Sequence, residues 1–240
     1  MRAVLCLLLL ILAGAAAARE LHFCVDANDW APYTYPDHDG ILQRRVREAV
    51  SHQGDSVTFA ALPWLRCEAM VESGALDAVL AVPDLPAKRE RFVFPQAQGR
   101  VDETRAVGAG DLILMRRADG AARWDGQHLT GLQGKVAYVL GYDGVEAKLD
   151  ELGIPNSGDY RSDAQDMMAL MAGRVSVIAI WAENGAALAE MPAYKDKVVL
   201  LSPPLGRISY FLAFNKAFYA AEHDRVERLW TGLSGLREAD

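Results

Sequence analysis

The chain is poor in the groups that do covalent chemistry. Its 240 residues include three cysteines and five histidines, and His22, His38, His52, His128 and His223 are scattered rather than gathered at ligand or triad spacing. No G-x-S-x-G elbow, H-E-x-x-H helix, paired C-x-x-C or Walker loop occurs, so the common signatures of hydrolases, zinc sites and nucleotide loops are missing. Basic runs are missing too. Formal net charge is −7, and no run of Lys or Arg is long enough to follow a phosphate backbone. Nucleic acid is therefore not an expected partner, and no metal or cofactor is expected.

Long apolar runs are scarce, with one exception at the start. Arg2, the apolar stretch from Val4 to Leu12 and the small residues Ala13 to Ala18 have the pattern of a secretory signal peptide over residues 1–18. The run is too short for a stable membrane anchor. Leu12-Ala13-Gly14-Ala15 carries Ala where a lipidated cysteine would stand, so a soluble, periplasmic mature chain is expected. Cleavage removes Cys6 and leaves Cys24 and Cys67. An even pair in an oxidising compartment predicts a disulfide, tying the end of the first strand to the loop that follows Pro63 and Trp64.

What is present is ordinary globular material. With 51% hydrophobic and 24% charged residues, disorder is excluded. The patterning predicts a strand at Leu21–Val25, an aromatic loop from Asp26 to Gly40, a helix at Ile41–Gln53 and a strand at Ser56–Ala60. A helix from Leu65 to Ser73, closed by Gly74, and a strand at Asp77–Val82 follow. This βαβαβ order implies a parallel sheet with right-handed crossovers. Ligands of such sheets sit beyond the carboxyl ends of the strands. The stretch from Pro63 to Pro95 would bring Trp64 and Arg66 to that edge, with an arginine-rich turn holding Lys88, Arg89 and Arg91. A guanidinium fork and an aromatic plate suit an anion or a flat ligand, and neither does covalent work.

The pattern restarts further on. Leu112–Arg116 reads as a strand between the glycines 108, 110 and 120. It is followed by a strand at Lys135–Leu140, helices at about Asp143–Leu152 and Ser162–Ala172, a strand at Val175–Trp181, a helix at about Glu183–Glu190 and a strand at Lys197–Leu201. Ser162 and Gln165 have capping-box spacing, and Gly173 closes that helix. The methionines 167, 168 and 171 are expected to pack in the core. After Pro203-Pro204 come a strand at Arg207–Phe214 and a tail helix with Val226, Leu229, Trp230, Leu233 and Leu236 on one stripe. The fold class expected is α/β and two-lobed, each lobe a mainly parallel sheet flanked by helices. Residues 19–108 with 207–240 form one lobe, 109–206 the other, and two crossing strands make the hinge.

The order of CVDANDWAPYTY, PWLRCEAMVESGALDAVLAV, RERFVFP, VAYVLGY and MMALMAGRVSVIAI resembles the periplasmic solute-binding proteins of bacterial extracellular family 3, the amino-acid-type receptors of ABC importers with a type II periplasmic binding fold. The resemblance covers almost the whole mature chain. It implies that Trp30, Tyr33 and Trp64 line the cleft, with Arg66 beside them, that Arg89 pairs with a ligand carboxylate, and that Gly141 and Tyr142 offer amides at a helix N-terminus. The chain also departs from the family: Ser176 replaces the usual first aspartate of the strand that ends at Trp181, and Arg44 stands where the first helix would carry an aspartate. Glu183 is the nearest carboxylate for a ligand ammonium. A small anion or polar metabolite fits at least as well as a standard amino acid. The implied partners are a small-molecule ligand and an ABC permease or a membrane receptor, with the chain a monomer. A sensory or accessory binding protein of the same fold is the alternative. A dehydratase acting on a cyclic carboxylate is a further one, with His38, Asp143 or Glu183 as its conceivable acids.

Overall fold

The computed structural model describes residues 18–237. The segment read as a signal peptide lies, but for Ala18, outside the described residues. β1 (Glu20–Asp26) is buried from Phe23 to Asp26, as a strand covered on both faces must be. It pairs in parallel with β2 (Ser56–Leu62) and with β3 (Ala78–Pro83), Phe23 standing opposite both Phe59 and Ala78. Helix α1 (Ile41–Ser51) covers one face with Leu42, Val46, Ala49 and Val50, and α2 (Trp64–Glu72) covers the other with Cys67 and Val71. Gly40 precedes α1 because a Cβ there would lie 2.2 Å from the Tyr33 carbonyl oxygen.

The arginine-rich segment expected as a turn is a helix, α3 (Pro86–Arg91), with Pro86 in its first turn, where a missing N–H costs nothing. Beyond it, β4 (Gly108–Arg117) leads into the second half of the sheet. This half holds β5 (Val136–Val139), α4 (Asp143–Glu151), β6 (Asn156–Tyr160), α5 (Asp163–Met171), β7 (Val177–Trp181), α6 (Ala182–Glu190) and β8 (Val198–Leu200). β6 escapes a pattern reading because Asn156-Ser157-Gly158-Asp159-Tyr160 has almost no apolar residue. It is an edge strand held by main-chain pairing with β5. Ser162 caps α5 by accepting from the Gln165 amide at 3.3 Å, and Gly173 leaves the helix at φ +70°. Met167 is buried as expected, whereas Met168 is 57% exposed, because neighbouring helical positions point about 100° apart.

β9 (Gly206–Asn215) returns the chain to the first half, and α7 (Lys216–Ala221) and α8 (His223–Arg237) end it. The strand order is β6-β5-β7-β4-β9-β3-β1-β2, with β8 also on β4 and a two-residue strand, Phe92–Val93, on β9. β4 and β9 are both ten residues long and each serves both halves. The start of β4 pairs with the start of β9, while its remainder pairs with β7 and β8; the end of β9 pairs with β3. Two antiparallel strands thus form the waist of a two-lobed α/β fold. The tail helix packs back on the first half as expected: Val226, Leu229, Trp230 and Leu233 are buried beside α1, and Trp230 Nε1 donates to the Leu212 carbonyl at 2.8 Å. Each such burial contributes roughly 1.5–3 kcal/mol.

Cys24 and Cys67 form the disulfide that their pairing predicted, Cα to Cα 5.8 Å and both fully buried. It joins β1 to α2 across 43 residues of chain, a loop whose closure is worth about 4 kcal/mol in the chain-entropy model. Replacing both cysteines, Cys24→Ala with Cys67→Ala, should lower the melting temperature by on the order of 10 °C, and wild type in dithiothreitol should fall to meet the variant. A wild type that melts no lower in reductant would deny the bond its stabilising role.

Candidate functional site

The carboxyl ends of β1 and β3 face the loops that follow β5 and β7, and a narrow cavity of about 50 Å³ lies between them. From the first half it is lined by Asp26, Trp30, Trp64 and Lys88, and from the second by Tyr142, Asp143 and Trp181; Tyr210 of the waist closes its floor. Trp30 is the hub of the apolar wall. Its ring lies 4.7 Å from Tyr33, 4.7 Å from Tyr210 and 5.7 Å from Trp181, and Tyr210 meets it edge-on.

Charged and polar contacts cross the same seam. The Lys88 ammonium, 1% exposed, donates to Glu68 of its own half and lies 2.6 Å from the Asp143 carboxylate of the other half. Tyr142 donates its hydroxyl to Asp26 at 3.1 Å, Tyr33 donates to Glu183 at 2.9 Å, and the Asn28 amide donates to the Arg161 carbonyl at 3.1 Å. Gly141 is obligatory in this seam: its φ is +86°, and a Cβ would meet Leu65 at 2.8 Å. The two halves are therefore in direct contact across this seam.

Of the residues expected at the site, Trp30, Trp64 and Tyr142 line the cavity. Tyr33 and Glu183 join each other behind the aromatic wall, and Gly141 lies under Trp64 and Leu65. Arg66 and Arg89 are outside. Arg66 is exposed, and the Arg89 fork holds Asp84 through two hydrogen bonds at the surface. Lys88 takes the inward place assigned to Arg89. On a helix one residue is a rotation of about 100°, and only one of two neighbours can face the cleft. Sequence reasoning also missed Asp26, Trp181 and Tyr210 as wall residues. Each ends a strand or crosses the waist, and their meeting depends on which strands pair.

Acids run from the cleft into the interior of the second half. Burial raises the Asp26 carboxyl, against the lowering effect of hydrogen bonds from Asn28 and Tyr142. Burial, then the Asp26 charge, holds the Tyr142 phenol well above its ordinary value. Asp163 at the start of α5 is pushed up to about 6 by burial, with Asn184 opposing and Asp26 adding to the rise. Asp166 is pushed up to about 8 by burial and by the charges of Asp163 and Asp159. Asp166 is 1% exposed and both of its carboxyl oxygens are buried without a hydrogen-bond partner. The neutral acid is the form such a site accepts. Among the described residues no group of three or more His, Cys, Asp or Glu could hold a metal ion, and no helix is long and apolar enough to cross a membrane.

No protein-family model matches the chain, and no curated protein matches it. Solved structures do. Holo ArgBP from T. maritima superposes with a TM-score of 0.70 at 16% identity, over 91% of this chain and 90% of that one. A histidine kinase sensor domain with similarity to periplasmic binding proteins gives 0.72 at 17%, over 92% of each chain. An ABC uptake transporter substrate-binding protein from Streptococcus pneumoniae with bound histidine gives 0.69 at 11%, over 92% of this chain and 87% of that one. At these identities the likeness establishes the fold, a two-lobed periplasmic-binding-protein-like architecture.

The raised Asp166 makes stability depend on pH. A carboxyl raised in the folded state, here to about 8, supports folding fully below the unfolded value of about 4 and loses that support as pH rises through the folded value. Wild type should therefore melt progressively lower from pH 5 to pH 9. Asp166→Asn should match it near pH 5, melt above it at pH 9 and show a flatter profile. Identical profiles for the two proteins would count against a neutral, buried Asp166.

Proposed function

We propose that the chain is an exported solute-binding protein whose two lobes shut on a small, carboxylate-bearing ligand, with residues 1–18 as its signal peptide and an ABC importer as its partner. We place the lobes at residues 19–108 with 207–240 and at 109–206, the waist strands β4 and β9 being the hinge. The observation that carries this reading is the buried Lys88 ammonium at the seam, held by Glu68 from behind and capped from the opposite lobe by the Asp143 carboxylate. Asp143 occupies the position a ligand carboxylate would take, so opening the seam would free one charge-assisted contact for an incoming anion. Trp30, Trp64, Trp181 and Tyr142 would then cover the ligand's body. Trp181 stands near the place where the resembling family holds an ammonium with aspartate, and Glu183 is engaged by Tyr33. The pocket therefore favours a carboxylate with an apolar or flat body over a standard α-amino acid.

The likeness to a histidine kinase sensor domain supports a second reading, in which the shut form signals to a membrane receptor. Both readings require ligand binding, so binding is the first test. A thermal-shift screen against amino acids, polyamines, small carboxylates and cyclic carboxylates should find a carboxylate that stabilises the protein, by about 2.7 kcal/mol at 100 times its Kd. Lys88→Met should abolish the shift and Arg89→Ala should leave it within about twofold in affinity. Loss of binding in Arg89→Ala alone would return the anchor to the outer arginine, and no hit in the panel would remove the solute reading. Uptake of the hit by cells with and without the gene then separates importer from receptor.

A further inference from the structure

Arg19, the residue before β1, is held from several sides. Its main-chain N–H donates to Asp55 Oδ1 at 2.9 Å, and its carbonyl accepts from the Ser56 amide at 2.9 Å. Its guanidinium lies 2.6 Å from Glu222 and 4.8 Å from the centre of the Phe218 ring. Ala18, one position earlier, is exposed. Asp55 stands between α1 and β2 with its side chain 2% exposed, and its other oxygen accepts from Arg225 of α8. Arg225 also reaches Glu222 at 3.0 Å. The Arg225 hydrogen bond, with burial opposing and the Arg19 and Arg225 charges assisting, holds the Glu222 carboxyl below its ordinary value. His223 and Asp224, next in the chain, pair with each other at the surface.

The buried Asp55 carboxylate thus gives one oxygen to a peptide N–H. A donor that carries a charge makes a contact roughly twice as strong as a neutral one. The Arg19 nitrogen becomes such a donor if the peptide bond before it is cut. The alanines at 15–18 put small residues at the positions a signal peptidase reads in more than one register, so the sequence leaves several bonds open. Cutting between Ala18 and Arg19 is the choice that turns the nitrogen already touching Asp55 into an ammonium.

We propose that Asp55 is the receiving site for the α-ammonium of Arg19, freed when the signal peptide is removed at the Ala18–Arg19 bond, so that processing fastens the mature terminus to β2 and α8. The inference rests on the export reading above and adds to it the bond that is cut and the role of the new end. The cut is a hydrolysis by the host's signal peptidase: water adds to the Ala18 carbonyl carbon, the C–N bond breaks, the leader departs with a carboxylate and the Arg19 nitrogen takes up the protons. Asp55 then has the ammonium on one oxygen and Arg225 on the other, while Glu222 faces both arginines. An α-amino group whose charged form is favoured by folding has its pKa raised above the unfolded value of about 8. Its support for the fold is full below that value and is lost as pH rises through the folded one.

The full chain, expressed in a bacterial host, should yield a periplasmic protein whose intact mass and N-terminal sequence begin at Arg19. Chains beginning at Arg19 and at Ala16, each released from a removable fusion, are then compared by urea unfolding. The Arg19 chain should have a folding constant about tenfold higher near pH 6.5, the equivalent of a rise of about one unit in the α-amino pKa. The advantage should vanish by about pH 10. Side chains common to both proteins titrate alike and drop out of the difference. Asp55→Asn in both chains should remove most of the advantage; if that variant does not fold, the pH profile of the two wild-type chains decides alone. Processing at a different alanine, equal stability of the two chains near pH 6.5, or an advantage undiminished at pH 10 overturns the proposal and leaves export standing. A full chain that stays unprocessed in the cytoplasm removes the export reading, and the proposed terminus with it.

Discussion

An ammonium group taken out of water must be compensated, and around Lys88 that requirement organises the cleft. Leaving a buried charge unpaired costs several kcal/mol. Glu68, itself 1% exposed, answers Lys88 from behind and shares its second oxygen with Arg91, which in turn reaches Glu72 at 2.8 Å. The chain of pairs runs from α2 to α3 and fixes how α3 is seated. With both helices set, the Lys88 ammonium has one direction left, across the seam to Asp143. The contact between lobes is thus an extension of an ion-pair network built within one of them.

The rest of the seam combines aromatic packing with carboxylates, and the two act on different parts of the same problem. The Trp30, Trp181 and Tyr210 cluster supplies apolar contact at the waist, where the two long strands give little room for rearrangement. Gly110 belongs to this arrangement because a Cβ there would come within 2.9 Å of the Tyr210 hydroxyl. Elsewhere along the seam the contacts are polar, the Lys88 to Asp143 ion pair and the hydrogen bonds from Tyr142 to Asp26 and from Asn28 to the Arg161 carbonyl.

Much of this was legible from patterning. The alternation of strands and helices, the capped start of α5, the glycines after α2 and α5 and the stripe of α8 follow from local preference and burial, the pairing of Cys24 with Cys67 follows from cysteine count, and each is found where it was expected. β6 was not legible, since a polar edge strand carries no hydrophobic period, and α3 was hidden because six residues beginning with proline read equally well as a turn. Among residues that line the cavity, Trp30 was visible through its aromatic loop. The charged ones were not, because the sequence shows an arginine and a lysine side by side without saying which faces inward.

The sequence by itself determined most of the strands and helices and the aromatic loop after the first strand, because those properties depend on neighbours a few positions away, and its cysteine count pointed to one disulfide. Tertiary structure decided the rest. The phase of one short helix put Lys88 in the cleft and Arg89 at the surface, the order of strands brought Trp181 against Trp30, and the meeting of two lobes placed the Tyr142 hydroxyl on Asp26. Each of these joins residues distant in the chain, and their proximity is set by packing of whole elements, which no local preference encodes.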